Sequence, residues 1–121
     1  MIRVVLFDTF GTIVDWRSSI AHESEELALS KGLTNFDGDA FARAWRAGYA
    51  PGMARVTNGK DPFVSIDFIH RNRLDEILPG FGLAMLDENE RAHLNLVWHR
   101  LDPWPDSVSG LTRIRSKFMI S

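Results

Sequence analysis

The sequence predicts an α/β fold in which a β-strand platform is interrupted by a long helical insert. Three observations carry that reading. The run Ile2 to Phe7 is continuously apolar, rich in β-branched residues, and ends on Asp8, the pattern of a strand buried on both faces. Segments with helical periodicity and their own start and stop residues then fill the chain to about Leu101. A second apolar stretch, Lys117-Phe118-Met119-Ile120, marks the opening of another strand.

Each element follows from local chemistry. Gly11 breaks the first run, leaving Thr12-Ile13-Val14 as a short extended or turn segment. A helix is expected from Ser18 or Ser19, with a serine as N-cap, Ile20, Leu27 and Ala28 on one face, and Gly32 as its stop after Lys31. A second begins near Asp37 or Asp39, where Phe41, Trp45 and Tyr49 recur every four residues. Pro51-Gly52 is expected to kink or interrupt it, and Asn58-Gly59 is a turn. A third helix is expected from Pro62 to Leu78, leaving at Pro79-Gly80. A fourth starts at Asp87, which forms a capping-box pattern with Glu90. Asp102-Pro103-Trp104-Pro105 excludes regular helix, and Ser107 to Arg115 forms a short one. The expected division is residues 1–14 as the first platform strand, 15–101 as the helical insert and 102–121 as the return to the platform.

Size and composition exclude several function classes. With 121 residues the chain is one domain or less than one. Its formal charge of −2 and its scattered basic residues give no nucleic-acid footprint. It has no cysteine, which excludes disulfides and thiolate zinc sites and suits a reducing cytoplasm. The N-terminal apolar run is too short for a signal h-region or a membrane span. A soluble cytoplasmic protein with no membrane partner is therefore expected.

A rigid strand ending in a carboxylate is an efficient way to present a nucleophile, because strand carboxyl ends open into the ligand crevice of α/β sheets. Asp8 is thus the leading catalytic candidate, with the Thr12 hydroxyl beside it. His22, His70, His93 and His99 lack metal-ligand spacing and are expected to be surface or structural residues. Trp104, between two prolines, is expected to be a packing anchor.

The segment Asp8-Thr9-Phe10-Gly11-Thr12, followed by Ile-Val-Asp-Trp-Arg-Ser-Ser, resembles the opening of the haloacid dehalogenase superfamily. Within it the likeness is to the type II (S)-2-haloacid dehalogenases, which begin with Asp-x-Tyr/Phe-Gly-Thr and insert a helical cap after the first strand. Phe41 to Tyr49 resembles the cap segment that carries the substrate arginine, and Asp102 to Asp106 with Gly110-Leu111 resembles the return to the core. The resemblance implies a Rossmann-like core, represented by its first strand and the start of its second, with an inserted cap.

It also implies a mechanism and a site. Asp8 would displace halide from a 2-haloalkanoic acid, and water would hydrolyse the resulting aspartyl ester to the 2-hydroxy acid. Thr12 would orient Asp8, and the amides of Thr9 and Phe10 would hold the substrate carboxylate or polarise the ester. Arg46 would receive halide or carboxylate, with Trp45 or Tyr49 lining the cleft. Phosphatases of the superfamily place a second Asp where this chain has Phe10, so the aromatic residue favours a leaving group that needs no proton. No metal and no cofactor are implied.

The later family motifs, Ser/Thr-Asn-Gly and a lysine that would counter the Asp8 charge, do not occur before Ser121. The expectation is an N-terminal portion with little turnover by itself. Two other readings stay open: a Mg²⁺-dependent phosphatase or other hydrolase of the superfamily, and a non-catalytic module in which the cap drives association, including homodimerisation.

Overall fold

Asp15, rather than a serine, starts the first helix. In the computed structural model, which describes residues 1–121, its side chain accepts from the Ser18 amide at 3.0 Å and α1 spans Trp16–Ser30. Ser19 is turned to other work: its hydroxyl donates to the Asp15 carbonyl and accepts from the Asp102 amide at 3.0 Å. α2 (Gly38–Arg46) starts from an Asp37 cap, as expected.

The break after α2 falls at Ala47-Gly48, ahead of Pro51, and α3 (Tyr49–Thr57) follows. Pro51 lies in the first turn of α3, where its missing N–H removes no helical bond. α4 is shorter than the sequence suggested, Ile66–Ile77, because Ser65 caps it, accepting from the Phe68 amide at 3.2 Å, so that Pro62 lies ahead of the helix and not in its first turn. Pro79-Gly80 lies inside a 3₁₀ turn, Leu78–Phe81, and the chain leaves through Gly82 at φ 77°. α5 (Glu88–Asn95) carries the reciprocal Asp87–Glu90 capping box and continues as a 3₁₀ turn, Leu96–His99. α6 (Ser107–Arg115) leads to the second strand.

The strands β1 (Val4–Val5) and β2 (Met119–Ile120) pair in parallel, with Val4 opposite Met119 and Val5 opposite Ile120. The pairing is extended by Phe7 N–H donating to the Ser121 carbonyl at 2.9 Å. The first run is not buried on both faces. Val4 and Leu6 are 46% and 76% exposed, whereas Val5 and Phe7 are half-buried. With β2 as its one neighbouring strand, alternate side chains of β1 point outwards, as strand geometry requires.

The hydrophobic core lies wholly within the helical insert, from Ile20 to Trp98. Phe41, Trp45, Leu74 and Leu78 are fully buried at its centre, each contributing roughly 1.5–3 kcal/mol by leaving water. α1 and α2 pack so closely at Gly38 that a Cβ there would sit 2.5 Å from the Ala21 carbonyl oxygen. Between α4 and α5, Asp75 accepts from Arg71 at 3.0 Å and from Arg91 at 2.9 Å. Phe10, Trp16 and Leu101 pack against the edge of this core, and that edge holds the site. No helix is long and apolar enough to cross a membrane.

Candidate functional site

The loop after β1 closes on itself. The Thr9 carbonyl accepts from the amides of Ile13, at 3.0 Å, and Val14, at 3.3 Å, while Gly11 N–H donates to the Val14 carbonyl at 2.9 Å. This tight return places Gly11 at φ 89°, a left-handed conformation that favours glycine. The same closure brings Thr12 back towards Asp8, and the Thr12 hydroxyl donates to Asp8 Oδ2 at 2.9 Å. Asp8 Oδ1 has no partner and the residue is exposed. The amides of Thr9 and Phe10 donate to no other protein group, so two N–H donors stand free beside the carboxylate.

The return segment clamps this loop from the other side. Asp15 N–H donates to the Asp102 carbonyl at 2.8 Å, and Trp104 N–H to the Ile13 carbonyl at 3.1 Å. The Trp104 indole donates to the Gly11 carbonyl at 3.0 Å, and the Ser107 hydroxyl to the Ile13 carbonyl at 2.6 Å. Trp104 therefore anchors the junction through hydrogen bonds as well as packing. It remains 37% exposed.

Phe10 faces the helical insert. Its ring meets Tyr49 edge-on at 6.5 Å and Trp98 edge-on at 5.5 Å between centroids. The Arg46 guanidinium lies over the same ring, Cζ at 5.2 Å from its centroid, and at 4.2 Å over Tyr49. Such cation–π contacts hold an arginine without neutralising it. Of the arginines in the insert, Arg46 alone has no carboxylate partner: Arg17, Arg43, Arg55, Arg71, Arg73, Arg91 and Arg100 are all ion-paired. One of its nitrogens, Nη1, is buried without any hydrogen-bond partner.

Asp8, Thr9, Phe10 and Thr12 thus share one loop, and Phe10 connects it to Arg46. Trp45 does not join them. It is fully buried, its indole N–H donates to the His70 carbonyl at 2.8 Å, and its ring packs against Phe41 and Trp98. Its helical spacing put it on the core side of α2; Tyr49, at the start of α3, is the aromatic residue that reaches Arg46. No group of three or more His, Asp or Glu side chains converges anywhere.

Two residues at this place were not among the sequence candidates, His70 and Trp98. His70 is 1% exposed and stacks on Trp98, with centroids 4.1 Å apart at an interplanar angle of 18°. Burial, reinforced by the nearby Arg46 charge, pushes its pKa down to about 4, so its ring is neutral at pH 7. The signal was present in the sequence: His70 stands four residues before Leu74 and seven before Ile77, on the apolar stripe of α4.

No protein-family model and no curated protein matches this sequence. Solved structures do. The chain is similar to a defluorinating L-2-haloacid dehalogenase, with 45% identity and a TM-score of 0.91, over 98% of this chain and 49% of that one. It is similar to a second L-2-haloacid dehalogenase at 38% identity and a TM-score of 0.85, over 99% of this chain and 50% of the other. The fold is also shared with the L-2-haloacid dehalogenase from Xanthobacter autotrophicus, at 24% identity and a TM-score of 0.78, over 99% of this chain and 45% of that one. The chain spans about half the length of the structures it matches.

Proposed function

This chain belongs to the haloacid dehalogenase superfamily, corresponding to the N-terminal portion of an L-2-haloacid dehalogenase, and we propose that it carries the nucleophilic half of that chemistry. The observation that carries the reading is the oriented carboxylate: Thr12 holds Asp8 Oδ2 and leaves Oδ1 free, two residues before the ring that seats the unpaired Arg46. In this reading residues 15–101 form the cap, and the substrate is a 2-haloalkanoic acid in the cytoplasm.

Asp8 Oδ1 attacks the α-carbon from behind the carbon–halogen bond. The new C–O bond forms as the halide leaves with its electron pair, giving an aspartyl ester. Water then adds to the ester carbonyl carbon, the acyl C–O bond breaks, and the 2-hydroxy acid departs with one proton released. The free amides of Thr9 and Phe10 are suited to an anionic oxygen in these steps. Arg46 supplies the positive charge for an incoming anion. At the position where a phosphatase needs a proton donor, Phe10 offers only an aromatic ring, so a phosphate ester is the weaker alternative.

Asp8 has no cationic side chain as a partner, its one side-chain hydrogen bond coming from Thr12. We therefore expect slow ester formation and little halide release from this chain alone. The test is peptide mass spectrometry after long incubation with (S)-2-chloropropionate. A propionate ester on the Asp8 peptide, lost in Asp8→Asn, supports the reading. Phosphate release from an aryl phosphate with Mg²⁺, and no ester, would replace it with the phosphatase alternative.

A further inference from the structure

The platform strands are strongly apolar yet lie outside the core. Every buried residue falls between Ile20 and Ser107, so β1, β2 and the loop after β1 hold none. Side chains along a strand alternate between faces, and residues opposite each other in register share one. Ile2, Val4 and Leu6 therefore stand on one face of the first run, and Met119, opposite Val4, joins them from β2. That face is bare: Ile2 is 69% exposed and Met119 70%, beside the exposed Val4 and Leu6. On the other face Val5, Phe7 and Ile120 are half-buried, and Leu111 of α6 borders the same hollow as Phe7 and Ile120. The edge of β1 away from β2 is bare too. Phe7 N–H bonds to the Ser121 carbonyl, but neither the amide nor the carbonyl of Leu6 has a partner.

We propose that this open face and edge form a docking surface for an α/β partner that binds in trans, of the kind that makes up the unmatched half of the similar dehalogenase structures. Parallel sheets occur with both faces covered by helices, so a parallel pair covered on one face is half of a layered unit. Two strands by themselves are also marginally stable in water. The surface therefore asks for two things together. One is a strand whose backbone bonds to Leu6, since an unpaired edge is a template for another chain. The other is a helix whose apolar stripe covers Ile2, Val4, Leu6 and Met119.

The proportions favour this occupant over a second copy. In the defluorinating relative, 51% of the chain has no counterpart here, since 49% of it is matched (100 − 49). The matched part already has the relative's arrangement, at a TM-score of 0.91, so the surface stands ready before any partner arrives. A second copy would offer only the same few side chains on a two-stranded patch. That falls far below the roughly 20–30 residues a side of a stable interface, and it brings no helix to the bare face. Docking needs the fold alone and not the chemistry proposed for Asp8, although it would enclose the strand that carries that residue.

The probe is the half of the defluorinating L-2-haloacid dehalogenase that has no counterpart in this chain. It is coexpressed with the whole chain and, separately, joined after Ser121 by a flexible linker. Copurification at one-to-one stoichiometry is expected, with hydrogen exchange of the Leu6 amide slowed at least about tenfold in both forms. Leu6→Lys and Met119→Lys, on the bare face, should weaken the complex at least about tenfold. Leu29→Lys, at an exposed leucine of α1, should leave it unchanged. An unprotected Leu6 amide in the joined form, where the solubility of the separate probe plays no part, would overturn the proposal. So would a complex that ignores Leu6→Lys. A homodimer of the chain that protects Leu6 and excludes the probe would assign the face to a second copy instead. Docking without an Asp8 ester keeps the surface and removes the chemistry; an ester formed by a chain that docks nothing does the opposite.

Discussion

The Trp104 indole donates to the Gly11 carbonyl at 3.0 Å, joining residues 93 positions apart. Through that bond the Pro-flanked return segment holds the back of the loop whose front presents Asp8. A neutral hydrogen bond of this kind contributes about 1 kcal/mol net. Trp104→Phe is expected to lower stability by about that amount and to loosen the loop locally. Hydrogen exchange should quicken at the Gly11 and Trp104 amides, which bond to the Val14 and Ile13 carbonyls, while amides of α4 stay protected.

Thr12 acts on Asp8 through a single hydroxyl. Thr12→Val keeps the branched shape and removes the bond to Asp8 Oδ2. Because the residue is exposed, the fold should tolerate the change. The carboxylate then rotates freely, and the rate of Asp8 esterification by (S)-2-chloropropionate is expected to fall about tenfold, equivalent to roughly 1.4 kcal/mol. Thr12→Ser should retain most of the rate, measured by the same peptide mapping.

What could be read in advance, and what could not, divides along physical lines. The Asp87–Glu90 capping box and the Asp37 cap were legible because each depends on residues within one turn. The start of α1 was missed for a related reason: Asp15, Ser18 and Ser19 all offer cap chemistry, and the Asp102 amide settles the competition by taking Ser19. The outward face of β1 depends on how many strands flank it, which no local pattern records. Asp8 and Thr12 stand together because their spacing matches one closed loop. Trp45 was placed in the cleft by the family resemblance, whereas its four-residue spacing from Phe41 is that of a core stripe, and it is fully buried. His70 and Trp98 come from distant helical segments and meet only in the folded chain.

Gly38 tests the α1–α2 packing. A Cβ there would approach the Ala21 carbonyl oxygen to 2.5 Å and the Glu25 side chain to 2.6 Å. The glutamate can move, but the carbonyl belongs to a helix and cannot. Gly38→Ala should therefore force the helices apart and destabilise the chain by about 1–3 kcal/mol, outweighing the better helix propensity of alanine. Denaturant melts should show a lower midpoint with an unchanged slope.

His70 predicts a pH dependence whose sign follows from burial. In the unfolded chain its imidazole titrates near 6.5, but in the folded protein burial and Arg46 hold it down to about 4. The folded state thus binds fewer protons across that window, so its stability is full above pH 6.5 and declines as pH falls towards 4. The gap corresponds to a loss of about 3 kcal/mol. Carboxylates such as Asp39 and Glu88, whose pKa values are lowered by Arg17 and Arg71 respectively, lose their contribution at lower pH, because an unfolded carboxylate titrates only near 4. The decline between pH 6.5 and 5 therefore belongs to the histidine. Urea melts across that range should show it in the wild-type chain, and His70→Phe should flatten it. A chain whose stability is constant from pH 7 to 5 would mean that His70 accepts its proton without opening the core.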